Sequence, residues 1–181
     1  MQRMVRLAIL AALLAACSIP FNYTINVVQY LEAEGTFQVG AGGISPNPKT
    51  VGPVQVTWDP DPRVTVAGAT LNFKVCFTSL TPGASFSGDL SYAAYLGGND
   101  ATLFQESNKV AQGTRDIAGL SNGQVCTEGQ ASLTESQLAA IRSGTFFVGA
   151  RISGSAISNQ EATIRYRAEV FDLRISGSVR P

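Results

Sequence analysis

Asp59 and Asp61, in Trp58-Asp59-Pro60-Asp61-Pro62, are the side chains of this sequence best placed to hold a metal ion. Loop carboxylates and backbone carbonyls are what calcium takes, but a dedicated site needs about six to eight oxygens. No EF-hand-like spacing follows, so the segment reads chiefly as a proline-stiffened turn with solvated aspartates. Catalysis has less to work with. Histidine is absent from the chain. Its absence removes the commonest general base, the commonest zinc ligand and every Ser-His or Cys-His nucleophile. No serine sits in G-x-S-x-G with a plausible partner base, and the carboxylates are few and scattered.

Aromatic side chains offer a second chemistry, a platform for sugar rings. Trp58, Tyr92, Tyr95 and Tyr166 are the candidates. Trp58 and Tyr92 fall in phase with core positions and are expected to be buried. Tyr95 is out of phase with Tyr92, which makes it the candidate for an exposed ligand contact. A third surface is the charged row Arg165, Arg167 and Glu169, a docking face or a solvated guard against edge aggregation.

The elements that must position these residues are strands. Leu71, Phe73, Val75 and Phe77 alternate with Asn72, Lys74, Cys76 and Thr78, the two-residue period of a strand with one buried face. Phe146, Val148, Ala150 and Ile152 do the same. In the last strand Ile164, Tyr166, Ala168 and Val170 alternate with Arg165, Arg167 and Glu169, and the apolar phase then slips to Phe171, Leu173 and Ile175. A β-bulge near Val170, or a strand changing sheets, accounts for the slip. Residues 22–27, 54–58, 64–66 and 90–96 add shorter strands, with 101–105 as a hairpin return. Residues 40–53 and 106–131, rich in glycine and polar side chains, read as loops. Thr134 and Gln137 form a capping box ahead of Leu138 and Ile141, and Gly144 can end that helix. The fold expected is all-β: a β-sandwich, immunoglobulin-like in architecture, with one short helix near residues 134–143.

The first eighteen residues are of another kind. Arg3 and Arg6 precede an apolar run over residues 7–16, the length of a signal-peptide core and about half that of a membrane-spanning helix. Leu14-Ala15-Ala16-Cys17 follows, and it resembles the lipobox of bacterial lipoproteins. The resemblance implies cleavage before Cys17 and a covalent lipid on its sulfur. Ser18, where an aspartate would favour inner-membrane retention, leans towards the outer membrane. Residues 1–16 are then a signal peptide, 17–21 a short tether and 22–181 one domain. More than one acyl chain on a single cysteine gives lasting attachment. With Cys17 lipidated in an exported protein, Cys76 and Cys126 read as a disulfide; two free thiols or a two-cysteine metal site are the alternatives. Cys76 faces away from the core, so the bridge is expected to pin an overlying loop.

Removing Arg3 and Arg6 takes the net charge from zero to near −2, with no charge run to draw nucleic acid. These features together read as a cell-envelope lipoprotein, not an enzyme, that needs no cofactor beyond its covalent lipid. Its sandwich is expected to contact another envelope protein. A surface module for carbohydrate or another polymer is the alternative, with a small hydrolase third. Coplanar exposed aromatics would favour the carbohydrate reading, and an uncovered apolar sheet edge the protein partner.

Overall fold

A computed structural model describes residues 18–180. Cys17 and residues 1–16, read above as a signal peptide, therefore lie outside the described residues. Among the described residues, twelve strands and one α-helix follow in order: β1 (Ile19–Asn26), β2 (Glu34–Gly40), β3 (Gly43–Ser45), β4 (Lys49–Thr57), β5 (Val64–Ser79), β6 (Phe86–Ser87), β7 (Asp89–Gly97), β8 (Lys109–Asp116), β9 (Gln124–Ser132), α1 (Glu135–Arg142), β10 (Thr145–Gly154), β11 (Ile157–Ser158) and β12 (Ala162–Val179). They form a six-stranded and a four-stranded antiparallel sheet, with a two-residue ribbon of β6 and β11 beside them.

The long strands β5 and β12 run antiparallel at the centre of the larger sheet, from Ile164 opposite Ser79 to Val179 opposite Val64. The other edge of β12 is shared. Its first half pairs with β2, from Ala162 opposite Val39 to Arg167 opposite Glu34, and its second half with β1, from Asp172 opposite Asn26 to Val179 opposite Ile19. β3 flanks β2, and β9 closes the far side of β5. The register of β12 against β5 shifts between Ala168 and Val170. There the buried phase passes from Ile164, Tyr166 and Ala168 to Phe171, Leu173 and Ile175, so the slip in the alternation is a bulge.

The smaller sheet has the order β4-β10-β7-β8. Phe146, Val148, Ala150 and Ile152 of β10, with Leu90 and Tyr92 of β7, pack against Leu71, Phe73, Val75 and Phe77 of β5 in one core. α1 has the expected capping box, with Gln137 N donating to Thr134 Oγ1 and Thr134 N to Gln137 Oε1. It ends at Gly144, whose φ of 80° is open to glycine at little cost.

Several expectations need correction. Residues 40–53 are not one loop, because β3 and the start of β4 lie within them. Pro53 is tolerated because β4 is an edge strand and because the register against β10 shifts at that point, so its missing N–H interrupts no continuous ladder. Residues 101–105 are not the hairpin partner of β7. That partner is β8, and β8 and all but the last residue of β9 lie inside the segment read as loop. Their glycines Gly113 and Gly129 sit where a Cβ would meet Thr127 Oγ1 and the Phe73 ring at about 2.4 and 2.5 Å, so the glycine content marks close packing. β1 begins at Ile19, inside the stretch read as tether, because Ile19, Pro20 and Phe21 already pair with Val179, Ser178 and Gly177.

Cys76 and Cys126 form a disulfide. They are register partners on the neighbouring strands β5 and β9, with Cα atoms 4.0 Å apart. The bridge thus ties two strands of one sheet on its outer face and does not pin a loop. Among the described residues no helix is long and apolar enough to cross a membrane.

Candidate ligand-binding cleft

The turn after β4 builds one wall of a cleft. Pro60 and Pro62 cannot extend the ladder, so the chain folds over the C-terminal end of α1. Trp58 N donates to Gly144 O at 3.0 Å, and its indole Nε1–H to Ile141 O at 2.7 Å. Those two bonds fix the ring plane. β1 supplies the facing wall. Ile25 is buried and Phe21 half-buried, while Tyr23 between them is 50% exposed. Asn26 then accepts from Val28 N and caps the 3-10 turn Val27–Gln29, which brings up Tyr30, 45% exposed.

Phe21, Tyr23 and Trp58 stand as three near-parallel rings. Centroids are 6.3 Å apart at 14° for Phe21–Tyr23, and 5.9 Å at 22° for Tyr23–Trp58. With Tyr30, Pro60 and the two aspartates they line a cleft of about 410 Å³. A larger depression, about 510 Å³, lies on the outer face of the six-stranded sheet among Asn72, Lys74, Glu128, Gln130 and Arg174. Its one aromatic lining residue, Phe73, is buried in the core and offers no open ring, and ligand sites are built mainly from apolar and aromatic walls with a few polar groups. The smaller cleft is therefore the better candidate.

Both oxygens of Asp61 are engaged. Oδ1 accepts from Arg63 N and Nε at 2.9 and 3.0 Å, and Oδ2 from Arg63 Nη2 at 2.7 Å. The hydrogen bonds from Arg63 push the Asp61 carboxyl down to about 2. Asp61 thus serves its own turn, and no group of three or more His, Cys, Asp or Glu side chains suited to a metal occurs among the described residues. Asp59 lines the cleft beside it.

The other candidates are placed differently from one another. Trp58 and Tyr92 are buried as expected, and so is Tyr166, whose phenol burial pushes up to about 12. Tyr95 is not an exposed ligand contact. It is only 6% exposed, because residues 98–108 fold back over the outer face of β7 and β10 and set Leu103 and Phe104 on it. The Arg165, Arg167 and Glu169 row does face outward, but its charges are met from neighbouring strands. Glu34 bridges Arg167 at 2.7 Å and Arg165 at 3.7 Å, and Lys74 bridges Glu169 at 2.7 Å. The carboxyls of Glu34 and Glu169 are held low mainly by the hydrogen bonds from Arg167 and Lys74. Gly119-Leu120-Ser121-Asn122-Gly123 has G-x-S-x-G spacing, yet it forms the 3-10 turn Ala118–Ser121 between β8 and β9 and not a strand-to-helix elbow.

Phe21, Tyr23 and Tyr30 escaped the sequence reading. Tyr23 was legible as one of the apolar positions of the first strand, and that phase sends a ring inward; alternation does not show that the inner face of β1 lies partly uncovered.

The sequence matches no family model and no curated protein. Among solved structures it is similar to a CocE/NonD family hydrolase from Staphylococcus aureus, at 12% identity and a TM-score of 0.36, covering 91% of this chain and 37% of that one. The Eiger TNF structure from S. frugiperda is similar at 7% identity and a TM-score of 0.33, covering 83% and 96%. A carbohydrate binding module from Cellvibrio mixtus lichenase 5A, in complex with cellotriose, is similar at 12% identity and a TM-score of 0.21, covering 88% and 97%. The chain spans little more than a third of the hydrolase. Likenesses this distant carry nothing about what the chain binds.

Proposed function

We propose that this protein is a lipid-anchored cell-envelope module that binds saccharide, without turning it over, in the cleft of Phe21, Tyr23, Tyr30 and Trp58. The observation that carries the reading is the ring stack, with half of Tyr23 open to solvent and Trp58 locked behind it. Aromatic faces carry negative potential and attract the polarised C–H bonds of a sugar ring, and a fixed ring loses little entropy on binding. The protein-partner reading has less support. On the smaller sheet, the exposed residues of edge strand β4 are Thr50, Gly52, Pro53, Gln55 and Thr57, and those of β8 are Gln112, Thr114, Arg115 and Asp116, so neither edge presents an apolar row. On the larger sheet, edge strand β1 exposes Ile19 and Tyr23, and Tyr23 belongs to the cleft. A glycoside hydrolase sets two available carboxylates about the scissile bond, and of the two at this cleft Asp61 is committed to Arg63.

The test is retention of the purified domain on insoluble cellulose, chitin, mannan and peptidoglycan. We expect retention on at least one, about tenfold weaker for Tyr23→Ala, the size of one lost aromatic contact. Failure to bind any of them, or equal retention of the variant, would overturn the reading. The anchor rests on Leu14-Ala15-Ala16-Cys17 alone. Cys17→Ala should release the protein from membranes or leave its precursor uncleaved, and membrane retention of a processed Cys17→Ala protein would refute lipidation.

A further inference from the structure

We infer that the saccharide taken by this cleft carries a free ammonium group, that is, it is an amino sugar, an inference that rests on the saccharide reading above. The cleft is lined by four aromatic rings and two aspartates, and by no lysine or arginine. The two carboxylates are not equivalent. Asp61 is neutralised by Arg63, which grips both its oxygens. Asp59, exposed at the same rim, has no cation within ion-pair distance among the described residues. One unanswered negative charge therefore stands beside a set of ring faces.

Each part of that arrangement favours the same ligand. Ring faces attract an ammonium through their quadrupoles, and a carboxylate at the rim adds a charge-assisted hydrogen bond. A neutral hydroxyl in the same place would satisfy Asp59 less well, and an acidic sugar would meet repulsion from Asp59. Because Asp59 is solvated, its attraction reaches little beyond a Debye length and weakens as salt is added.

Three tetrasaccharides that differ at one ring substituent separate these cases. They are the glucosamine tetramer, the N-acetylglucosamine tetramer and cellotetraose, carrying ammonium, acetamide and hydroxyl respectively. Calorimetric titration at low salt, below the pKa of the amine, should show the glucosamine tetramer bound about tenfold tighter than either neutral one. In Asp59→Asn, whose side chain keeps its size, that gap should shrink to about twofold or less, as it should for the native protein in high salt. A glucosamine tetramer bound no tighter than the neutral two, or a preference that survives Asp59→Asn, would overturn the inference. If the neutral tetramers bind through Tyr23 with no such gap, or if none of the three binds while mannan or peptidoglycan retains the domain, the amino-sugar inference falls and the saccharide reading stands. If none of the three binds and no polysaccharide retains it, both fall.

Discussion

On the outer face of β7 and β10, Tyr95 meets Phe104 edge-on at 5.4 Å, and the Arg151 guanidinium lies 4.7 Å from the Phe104 ring centroid. At the β1 end, Tyr23 stacks between Phe21 and Trp58. The two clusters use the same kinds of rings at similar spacings and differ in cover. Residues 98–108 return across the first, burying Leu103 wholly and leaving Tyr95 6% exposed, with Phe104 half-buried at its rim. Nothing among the described residues returns across the second, so Tyr23 and Tyr30 keep about half their surface in solvent. Ring chemistry alone does not make a site; an unmade contact does. The sealed cluster is a local core that stabilises a loop, and the open one is where a ligand can supply what the chain does not.

That contrast is open to attack first through the sealed cluster. Leu103→Ala should cost about 2–4 kcal/mol in urea unfolding, the range for a truncated buried leucine whose surroundings collapse only partly. A loss under about 1 kcal/mol would mean that the loop is a loose flap and that the clusters do not differ in kind. Saccharide retention should be unchanged in this variant, since Leu103 lines no part of the cleft.

Trp58→Phe sharpens the same contrast from the other side. The ring survives but the bond to Ile141 O is lost, and that carbonyl keeps only its bond from Gly144 N at 3.1 Å. Unfolding should show a loss of about 1–2 kcal/mol, from the hydrogen bond and the truncated indole together, whereas Tyr23→Ala, at an exposed position, should cost under about 1 kcal/mol. If Tyr23→Ala proved the more destabilising of the two, Tyr23 would belong to the core and the cleft would be a packing defect.

Much of the sandwich was legible because a half-buried strand writes its face into alternate residues, as in Leu71 to Phe77 and Phe146 to Ile152. The slip after Ala168 was legible for the same reason, and the capping box announced α1 through its own hydrogen bonds. What failed shares one cause. β8 and β9 carry glycines where neighbouring side chains press against the backbone, so composition resembled a loop. Cys76 had its face assigned correctly, but alternation is silent about which strand lies alongside, and so the bridge to β9 was mistaken for one to a loop. Tyr95 was assigned to a face and Tyr23 fell in the apolar phase of residues 22–27, but neither phase could say whether the face was covered. Burial of a face is a tertiary fact, and a site made by the absence of cover leaves no periodic trace.

The smallest expected effect concerns acid, and it falls on the open cluster alone. The Arg63 hydrogen bonds lower the Asp61 carboxyl from 3.8 to about 2 in the folded protein. A depressed carboxyl stabilises the fold above its unfolded pKa, and that contribution is lost as pH falls towards the folded value. Asp61 and Arg63 are well exposed, with side chains 43% and 61% accessible, so solvent screening keeps the contribution slight. Asp61→Asn should therefore melt slightly below the native protein near neutral pH, and the two melting curves should converge between about pH 4 and about pH 2. A gap that stays constant across that window would show that the carboxyl is not depressed and that Arg63 does not hold it, leaving Asp61 as available to a ligand as Asp59. The sealed cluster should add nothing to this acid response, because Arg151 there meets aromatic rings and the Phe104 carbonyl, neither of which titrates.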